Sequence, residues 1–259
     1  MTPLTIENKA EFHHLEAKAL LEFLKAVGAK PAIIFMDPPF NIGVDYDRAN
    51  DDLDLDSYHE WFAGVLEAAF NCLADNGSLW LNLPDQLVAR IADRCEVIGF
   101  HMENWCIWHY RFGVCQPKRF IHSHTHALWF SKTSSVIVNP ETAQVPSDRA
   151  AYYDDARTRL EGGSRMDLDV WGFDKYWGRV QGNNRERRNL HPNQLPEKYL
   201  ERVIRLCSNA GHIVCDPFCG SGTTATVAAA LGRYAITGDV SETYLRSAHQ
   251  RCFEGMVAR

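Results

Sequence analysis

Apolar runs of strand length alternate with longer stretches of helical periodicity over most of this chain. The strand-like runs are Ala32–Met36, Ser78–Leu83, Trp105–Tyr110, Ala127–Phe130, Ile213–Cys215 and Tyr234–Thr237. Between several of them lie helical patterns at Ser57–Leu73, Gln86–Ile98, Glu197–Cys207, Thr223–Leu231 and Glu242–Phe253. A single short run is ambiguous, but the alternation predicts an α/β domain, a mostly parallel sheet with helices on both faces. Residues 133–190 break it, being rich in Asp, Arg, Tyr, Trp and Gly without a clear period, and read as an insertion. The chain shows no internal repeat and no low-complexity segment.

Composition leaves that picture in place. With 259 residues, 46% hydrophobic and 23% charged, the chain is the size of one large domain, or of a domain with a modest insertion. The start, "MTPLTIENKAEFHH", has no basic flank ahead of an apolar core, and no stretch reaches the roughly 20 apolar residues that span a bilayer. A soluble, unsecreted, cytoplasmic protein is expected. Eight cysteines with no C-x-x-C pair fit reduced thiols.

Charge adds an asymmetry. Residues 1–100 hold 7 Lys and Arg against 17 Asp and Glu, while residues 101–259 hold 20 against 16. The basic excess gathers in 101–135, with Arg111, Lys118 and Arg119 beside His122, His124 and His126, and in 175–205, with Arg179, Arg185, Arg187 and Arg188. Such local faces can hold a polyanion on an acidic protein, and these arginines suit phosphate contact or bidentate reading of guanine.

Two strand ends carry the candidate chemistry. In "IIFMDPPFNIG" a buried-strand pattern stops at Asp37, Pro38, Pro39 and Phe40. In "HIVCDPFCGSGTT" a strand runs into Asp216, and Gly220-x-Gly222-x-x-Ala225 follows with the spacing that lets backbone approach a nucleotide. The next strand ends at Asp239, 19 residues after Gly220, about where α/β nucleotide sites place a ribose-binding acid. Ligands of open α/β sheets bind outside the carboxyl ends of strands, so both tips are expected to face one crevice.

The rigid turn has a chemical use. An exocyclic base amine is a weak nucleophile because its lone pair is delocalised. A carboxylate and a backbone carbonyl accepting its hydrogens would localise that pair. Pro38 and Pro39 fix φ near −65° and pre-order the turn, and the Phe40 ring offers a stacking face for an extruded base.

These motifs resemble the S-adenosylmethionine-dependent amino-methyltransferases of DNA, in the β arrangement, where the catalytic motif precedes the cofactor motif. "DPPF" at 37–40 is similar to the family's D/N/S-P-P-Y/F/W element, and "DPFCGSGTT" at 216–224 to its cofactor loop. "ADNGSLWLNL" at 74–83, "HTHALWFSK" at 124–132 and "HPNQLPEKYLERVI" at 191–204 resemble further family segments in the family's order. "LTIENKAEFHHLEAK" matches the family's leading strand poorly.

The resemblance implies a Rossmann-like methyltransferase fold with a target-recognition insertion. Residues 1–132 would form the catalytic half, 133–190 the insertion and 191–259 the cofactor half. Asp37 and the Pro38 carbonyl would take the amine hydrogens, with Pro39 in the turn and Phe40 stacked on the base. Asp216, Phe218, Gly220, Ser221, Gly222, Thr223 and Thr224 would cradle S-adenosyl-L-methionine, Asp239 would hold its ribose, and His191, Pro192 and Gln194 would complete the pocket. Double-stranded DNA would be the substrate, and relatives of this arrangement often form homodimers. Asp rather than Ser at 37 implies adenine N6 over cytosine N4. Cytosine C5 chemistry is not expected, because no Pro-Cys dipeptide occurs.

Other features read more blandly. His122, His124 and His126 share one face if extended, but spacing pairs no fourth ligand with them, so no metal is expected. Cys215 and Cys219 suit packing. Trp80, Trp105 and Trp129 suit the core, Trp171 and Trp177 suit contact with DNA, and the pair Tyr152 and Tyr153 suits either stacking on bases or the core. A dinucleotide-dependent oxidoreductase would explain the Gly220 loop but leaves Asp-Pro-Pro-Phe unexplained; a DNA-binding module without catalysis is the other rival.

Overall fold

The computed structural model describes residues 2–44, 51–111, 117–147, 164–172, 180, 184, 186–188 and 191–257. Its main sheet has nine strands: β1 (Leu4–Ile6), β2 (Ala10–His13), β3 (Ile33–Met36), β4 (Ser78–Leu83), β5 (His101–His109), β6 (His124–Ser131), β9 (Val170–Trp171), β10 (Ile213–Asp216) and β11 (Tyr234–Gly238). Strands β7 (Gln144–Pro146) and β8 (Ser164–Met166) form a separate antiparallel pair. The helices are α1 (Ala17–Ala26), α2 (Leu55–Cys72), α3 (Asp85–Ile98), α4 (Glu197–Cys207), α5 (Thr223–Ala230) and α6 (Glu242–Val257).

In space the strands run β1-β2-β11-β10-β3-β4-β6-β5-β9. Strands β2, β11, β10, β3 and β4 pair in parallel, and β6 is antiparallel to both of its neighbours. This is the mostly parallel sheet that the alternation predicts. Its strands divide their residues between two helical layers, because side chains alternate across a sheet. Ile33 and Phe35 enter a core with Leu200 and Val203 of α4, Ala228 of α5 and Ala248 of α6. Ile34 and Met36 enter the opposite core with Leu20 of α1, Phe62 of α2 and Leu87 of α3. A strand buried on both faces reads as a continuous apolar run, which is why "IIFM" is so plain in the sequence.

The N-terminal segment, which the motifs leave unmatched, folds as β2 and α1. Strand β2 pairs in parallel with β11, from Ala10 opposite Ala235 to His13 opposite Gly238, although it lies at the other end of the chain. Its polar residues are satisfied laterally: Glu11 accepts from the Tyr234 hydroxyl at 2.7 Å and bonds His13 at 2.9 Å.

The tryptophans sort differently from expectation in two places. Trp80 and Trp129 face each other across β4 and β6 as a buried stack with centroids 5.4 Å apart, as expected of core residues. Trp171 joins them, buried against Trp80 at 5.8 Å and Tyr199 at 5.7 Å, so it is packing rather than a base contact. Trp105 is exposed on the outward side of β5, its indole donating to His126, and is not core. Trp177, Tyr152 and Tyr153 lie outside the described residues. Cys215 and Cys219 are buried, as packing residues should be. Among the described residues no helix is long and apolar enough to cross a membrane.

Removing one ring of the Trp80–Trp129 stack leaves a cavity the sheet cannot close. Trp80→Ala is expected to cost about 3–5 kcal/mol, read as a lower urea midpoint at unchanged slope.

Candidate active site

The site begins where the order of strands reverses. From β3 the chain builds outward through β4, and from β10 it builds the other way through β11, so β3 and β10 are the adjacent pair at the switch point. They pair in parallel, Val214 with Ile33 and Cys215 with Ile34. Both therefore end on the same edge, about 4.8 Å apart, where such sheets open a crevice. Asp37 leaves the end of one and Asp216 closes the other.

Asp37 is fixed by its neighbours. Asn82, at the end of β4, donates its side-chain amide to the Asp37 carboxylate at 2.8 Å. The Tyr58 hydroxyl of α2 donates to the Pro39 carbonyl at 2.8 Å, which pins the di-proline turn from beneath. Beyond Phe40, Asn41 takes a left-handed φ of 55°. The Asp51 carboxylate accepts the Asn41 and Val44 amides at 2.6 and 2.8 Å, and Asn41 exchanges two bonds with the Leu53 backbone. Burial pushes the Asp37 carboxyl up to about 7, with Asn82 pulling it down and the charge of Asp216 adding to the rise. The carboxyl lines a cleft open to small ligands.

The glycine loop joins β10 to α5. Asp216 accepts from the Phe218 amide at 2.9 Å, and burial lifts its carboxyl to about 6. Asp239, at the end of β11, accepts the Gly220 amide at 2.9 Å through one oxygen and the Ser241 amide at 2.9 Å through the other. Burial raises this carboxyl too, and the amide bonds lower it. Gly220 has φ +48°, and a Cβ there would lie 2.9 Å from the His191 ring; that half-buried ring has its pKa lowered by desolvation to about 4, so it stays neutral. Behind the loop, the buried Arg251 of α6 donates to the Ser221 carbonyl at 3.1 Å and the Thr223 hydroxyl at 2.8 Å, and pairs with Glu197 of α4 at 2.9 Å.

These parts share one cavity of about 1210 Å³, lined at one end by Asp37, Pro38, Pro39 and Phe40 and at the other by Asp216, Phe218, Gly220, Ser221, Thr223, Thr224 and Asp239. Ordinary ligand pockets run from about 300 to 1000 Å³. The excess suits two ligands side by side. The glycine end fits a nucleoside-bearing group: a backbone stripped of Cβ at Gly220, an acid at the next strand end with acceptor capacity left over, and apolar walls from Phe218 and Pro192.

Not every expected residue reaches the cavity. Gly222 lies beneath it with φ +74°, and a Cβ there would meet Ala248 at 2.6 Å, so this glycine serves helix packing rather than ligand contact. Gln194 lines the wall, yet its amide is engaged by the Arg188 amide at 2.8 Å and the Glu186 carbonyl at 2.7 Å; it holds the preceding loop. His191 and Pro192 line the cavity as expected. Arg119 reaches the mouth, next to Phe120, which is fully exposed. Arg111, Lys118, Arg187 and Arg188 are exposed, and Arg179 and Arg185 lie outside the described residues. The histidines of "HSHTH" stand at the rim against Asp85. Sequence reasoning missed Asn82, Tyr58, Asp51 and Arg251. Asn82 alone left a signal, as an amide inside the apolar strand "SLWLNL".

Comparison with known proteins agrees with this geometry. The family model described as DNA methylase, covering N6 and N4 enzymes, matches residues 32–250. The type II methyltransferase M.HpaI of Haemophilus parainfluenzae is 31% identical over 85% of this chain and 67% of its own length. The DNA adenine methyltransferase YhdJ of Escherichia coli K12 is 28% identical over 92% of this chain and 81% of its own. Among solved structures, the M1.HpyAVI complex with SAM superposes with a TM-score of 0.67 at 19% identity, covering 93% of this chain and 98% of that one. The cytosine-N4-specific PvuII methyltransferase does so at 0.66 and 15%, covering 95% and 91%. At these identities the structures show a shared Rossmann-like methyltransferase fold.

Asp37 makes a pH test possible. Its folded pKa of about 7 lies above the ordinary carboxylate value, so from about pH 4 to 7 the folded chain holds a proton that the unfolded chain has lost. Its contribution to stability is present below that window and declines as pH rises through it. Asp37→Asn removes the titration. The advantage of the variant in urea midpoint should grow from pH 4 to 7 and then level off; equal pH profiles would contradict it.

Proposed function

This chain belongs to the DNA methylase family, S-adenosylmethionine-dependent amino-methyltransferases of DNA, and from that premise we propose that it methylates the N6 amine of an adenine turned out of a duplex. The observation that carries the reading is the single cavity shared by Asp37 at one end and the Gly220 loop at the other. Asp rather than Ser at 37 favours adenine, as does the likeness to the adenine-specific YhdJ. The likeness in fold to the cytosine-N4-specific PvuII enzyme keeps N4 of cytosine as the alternative target.

Asp216, Phe218, Gly220, Ser221, Thr223 and Thr224 would hold the cofactor, with Asp239 at the ribose and His191 and Pro192 over the far end. When bound, S-adenosylmethionine supplies a sulfonium methyl already activated for in-line transfer. The work left to the protein is to orient the amine. The Asp37 carboxylate accepts one amine hydrogen and the Pro38 carbonyl the other, while the Phe40 face fixes the ring plane. As the nitrogen–methyl bond forms and the sulfur–methyl bond breaks, positive charge grows on the nitrogen beside Asp37, which can take the departing proton. A carboxyl with pKa about 7 is well matched to that task near neutrality. No metal and no covalent intermediate is needed.

Outside the cavity, Arg111, Lys118, Arg119, Arg187 and Arg188 are placed for phosphates, and residues 133–190 would read the sequence. Phe120, exposed at the rim, suits the gap that an extruded base leaves in the stack. The halves 1–132 and 191–259 then act as target side and cofactor side of one sheet, with β2 crossing to the cofactor side. Pairing as a homodimer is part of the same proposal.

Asp37→Ala should keep cofactor affinity in calorimetry within a few-fold while methyl transfer falls by at least about 100-fold. Wild-type turnover should rise with pH through about 7. Mass analysis of nucleosides from methylated DNA should return N6-methyladenine. N4-methylcytosine would select the alternative, and unimpaired transfer by Asp37→Ala would overturn the assignment.

A further inference from the structure

At the rim of the cleft three imidazoles converge on one carboxylate. The Nε2 atoms of His122, His124 and His126 lie 3.0, 3.2 and 2.7 Å from the Asp85 oxygens. Asp85 is the first residue of α3, His122 leads into β6, and His124 and His126 lie within it. The fold thus supplies the fourth group that spacing does not show.

The hydrogen bonds divide these residues into two roles. The Trp105 indole can only donate, and it donates to Nδ1 of His126 at 2.8 Å. Neutral His126 therefore carries its proton on Nε2 and donates it to Asp85, which makes it an orienting residue and not a ligand. His122 is arranged the other way. The Tyr110 hydroxyl donates to the His124 carbonyl at 3.0 Å, and its oxygen sits 3.5 Å from Nδ1 of His122. In the tautomer with its proton on Nδ1, His122 turns a bare Nε2 lone pair toward Asp85, the form in which it can ligate an ion. A lone pair and a carboxylate repel at 3.0 Å unless a cation lies between them.

We propose that Asp85, His122 and His124 bind one divalent transition ion of the zinc class at the mouth of the cleft. One ligand atom from each lies within 4.8 Å of the other two. Tetrahedral bonds of about 2.0–2.1 Å place neighbouring donors about 3.3 Å apart; His122 approaches one Asp85 oxygen at 3.0 Å and His124 the other at 3.2 Å, so the carboxylate can meet the ion through either oxygen. Two imidazoles and a carboxylate select zinc, cobalt or iron over magnesium or calcium. The Trp105–His126–Asp85 chain is the outer shell that ligating carboxylates carry. Asp85, His122 and His124 all line the cavity. The ion would fasten the segment bearing Arg119 and Phe120 to the start of α3.

The test uses the full chain, free of any histidine tag and stripped with a chelator, titrated with Co²⁺ and then Zn²⁺. One equivalent of Co²⁺ should bind, giving d–d absorption of a nitrogen–oxygen site without a thiolate charge-transfer band, and Zn²⁺ should displace it and raise Tm. The His122→Ala/His124→Ala double variant should bind at least about 100-fold more weakly, and Trp105→Phe, the positioning variant, about 10–100-fold. Asp85→Asn replaces the double variant if that fails to fold. Equal Co²⁺ affinity in wild type and ligand variants, or a thiolate band, would overturn the proposal.

Discussion

The parallel pairing of β3 with β10 is the constraint on which the molecule depends. Two segments about 180 residues apart in sequence, Ile33–Met36 and Ile213–Asp216, become neighbours only because each is apolar on both faces and finds a helical layer on either side. Strand order reverses at this pair, so the helices that follow the two tips, α2 and α5, pack on opposite faces of the sheet. The cavity is the space that this divergence leaves open, and the chemistry at each tip follows from what the chain places there.

What it places there is costly. Asp37 and Asp216 are carboxyls raised by burial, the charge of Asp216 opposing ionisation of Asp37 and that of Asp239 opposing ionisation of Asp216. The surrounding structure offsets this with directed donors: the Asn82 amide for Asp37, the Phe218 amide for Asp216, and the Gly220 and Ser241 amides for Asp239. Arg251 holds the glycine loop from behind while its own charge is met by Glu197, so the loop is positioned without a cation entering the ligand space. Stability is spent at the tips and recovered in the two apolar layers, the usual trade at a functional site.

Much of this was legible in the chain because it follows local rules. Buried parallel strands such as "IIFM" and "SLWLNL" are continuous apolar runs, and the motifs at 37–40 and 216–224 carry backbone chemistry in proline and glycine. Strand β2 was hidden because Glu11 and His13 break the apolar pattern, and their satisfaction by Tyr234 and by each other exists only once β11 lies alongside. Helix α1 went unread, although Leu20, Leu21 and Leu24 stand at helical spacing. Gly222 shows the opposite failure: its place in a motif suggests ligand contact, whereas α6 is what crowds it. Asn82, Tyr58, Arg251 and Asp85 act across 19 to 45 residues of sequence, from other elements, and no local pattern carries such pairings.

The two prolines after Asp37 do more than stiffen a turn. Proline has no amide hydrogen, so residues 38 and 39 cannot solvate the carboxylate from the main chain, as Phe218 does for Asp216. An acid ringed by several amides would be a strong acid with its lone pairs already engaged. By withholding those amides, the Pro-Pro step leaves Asp37 with acceptor capacity in reserve and removes main-chain donors that would oppose the rise burial gives its pKa.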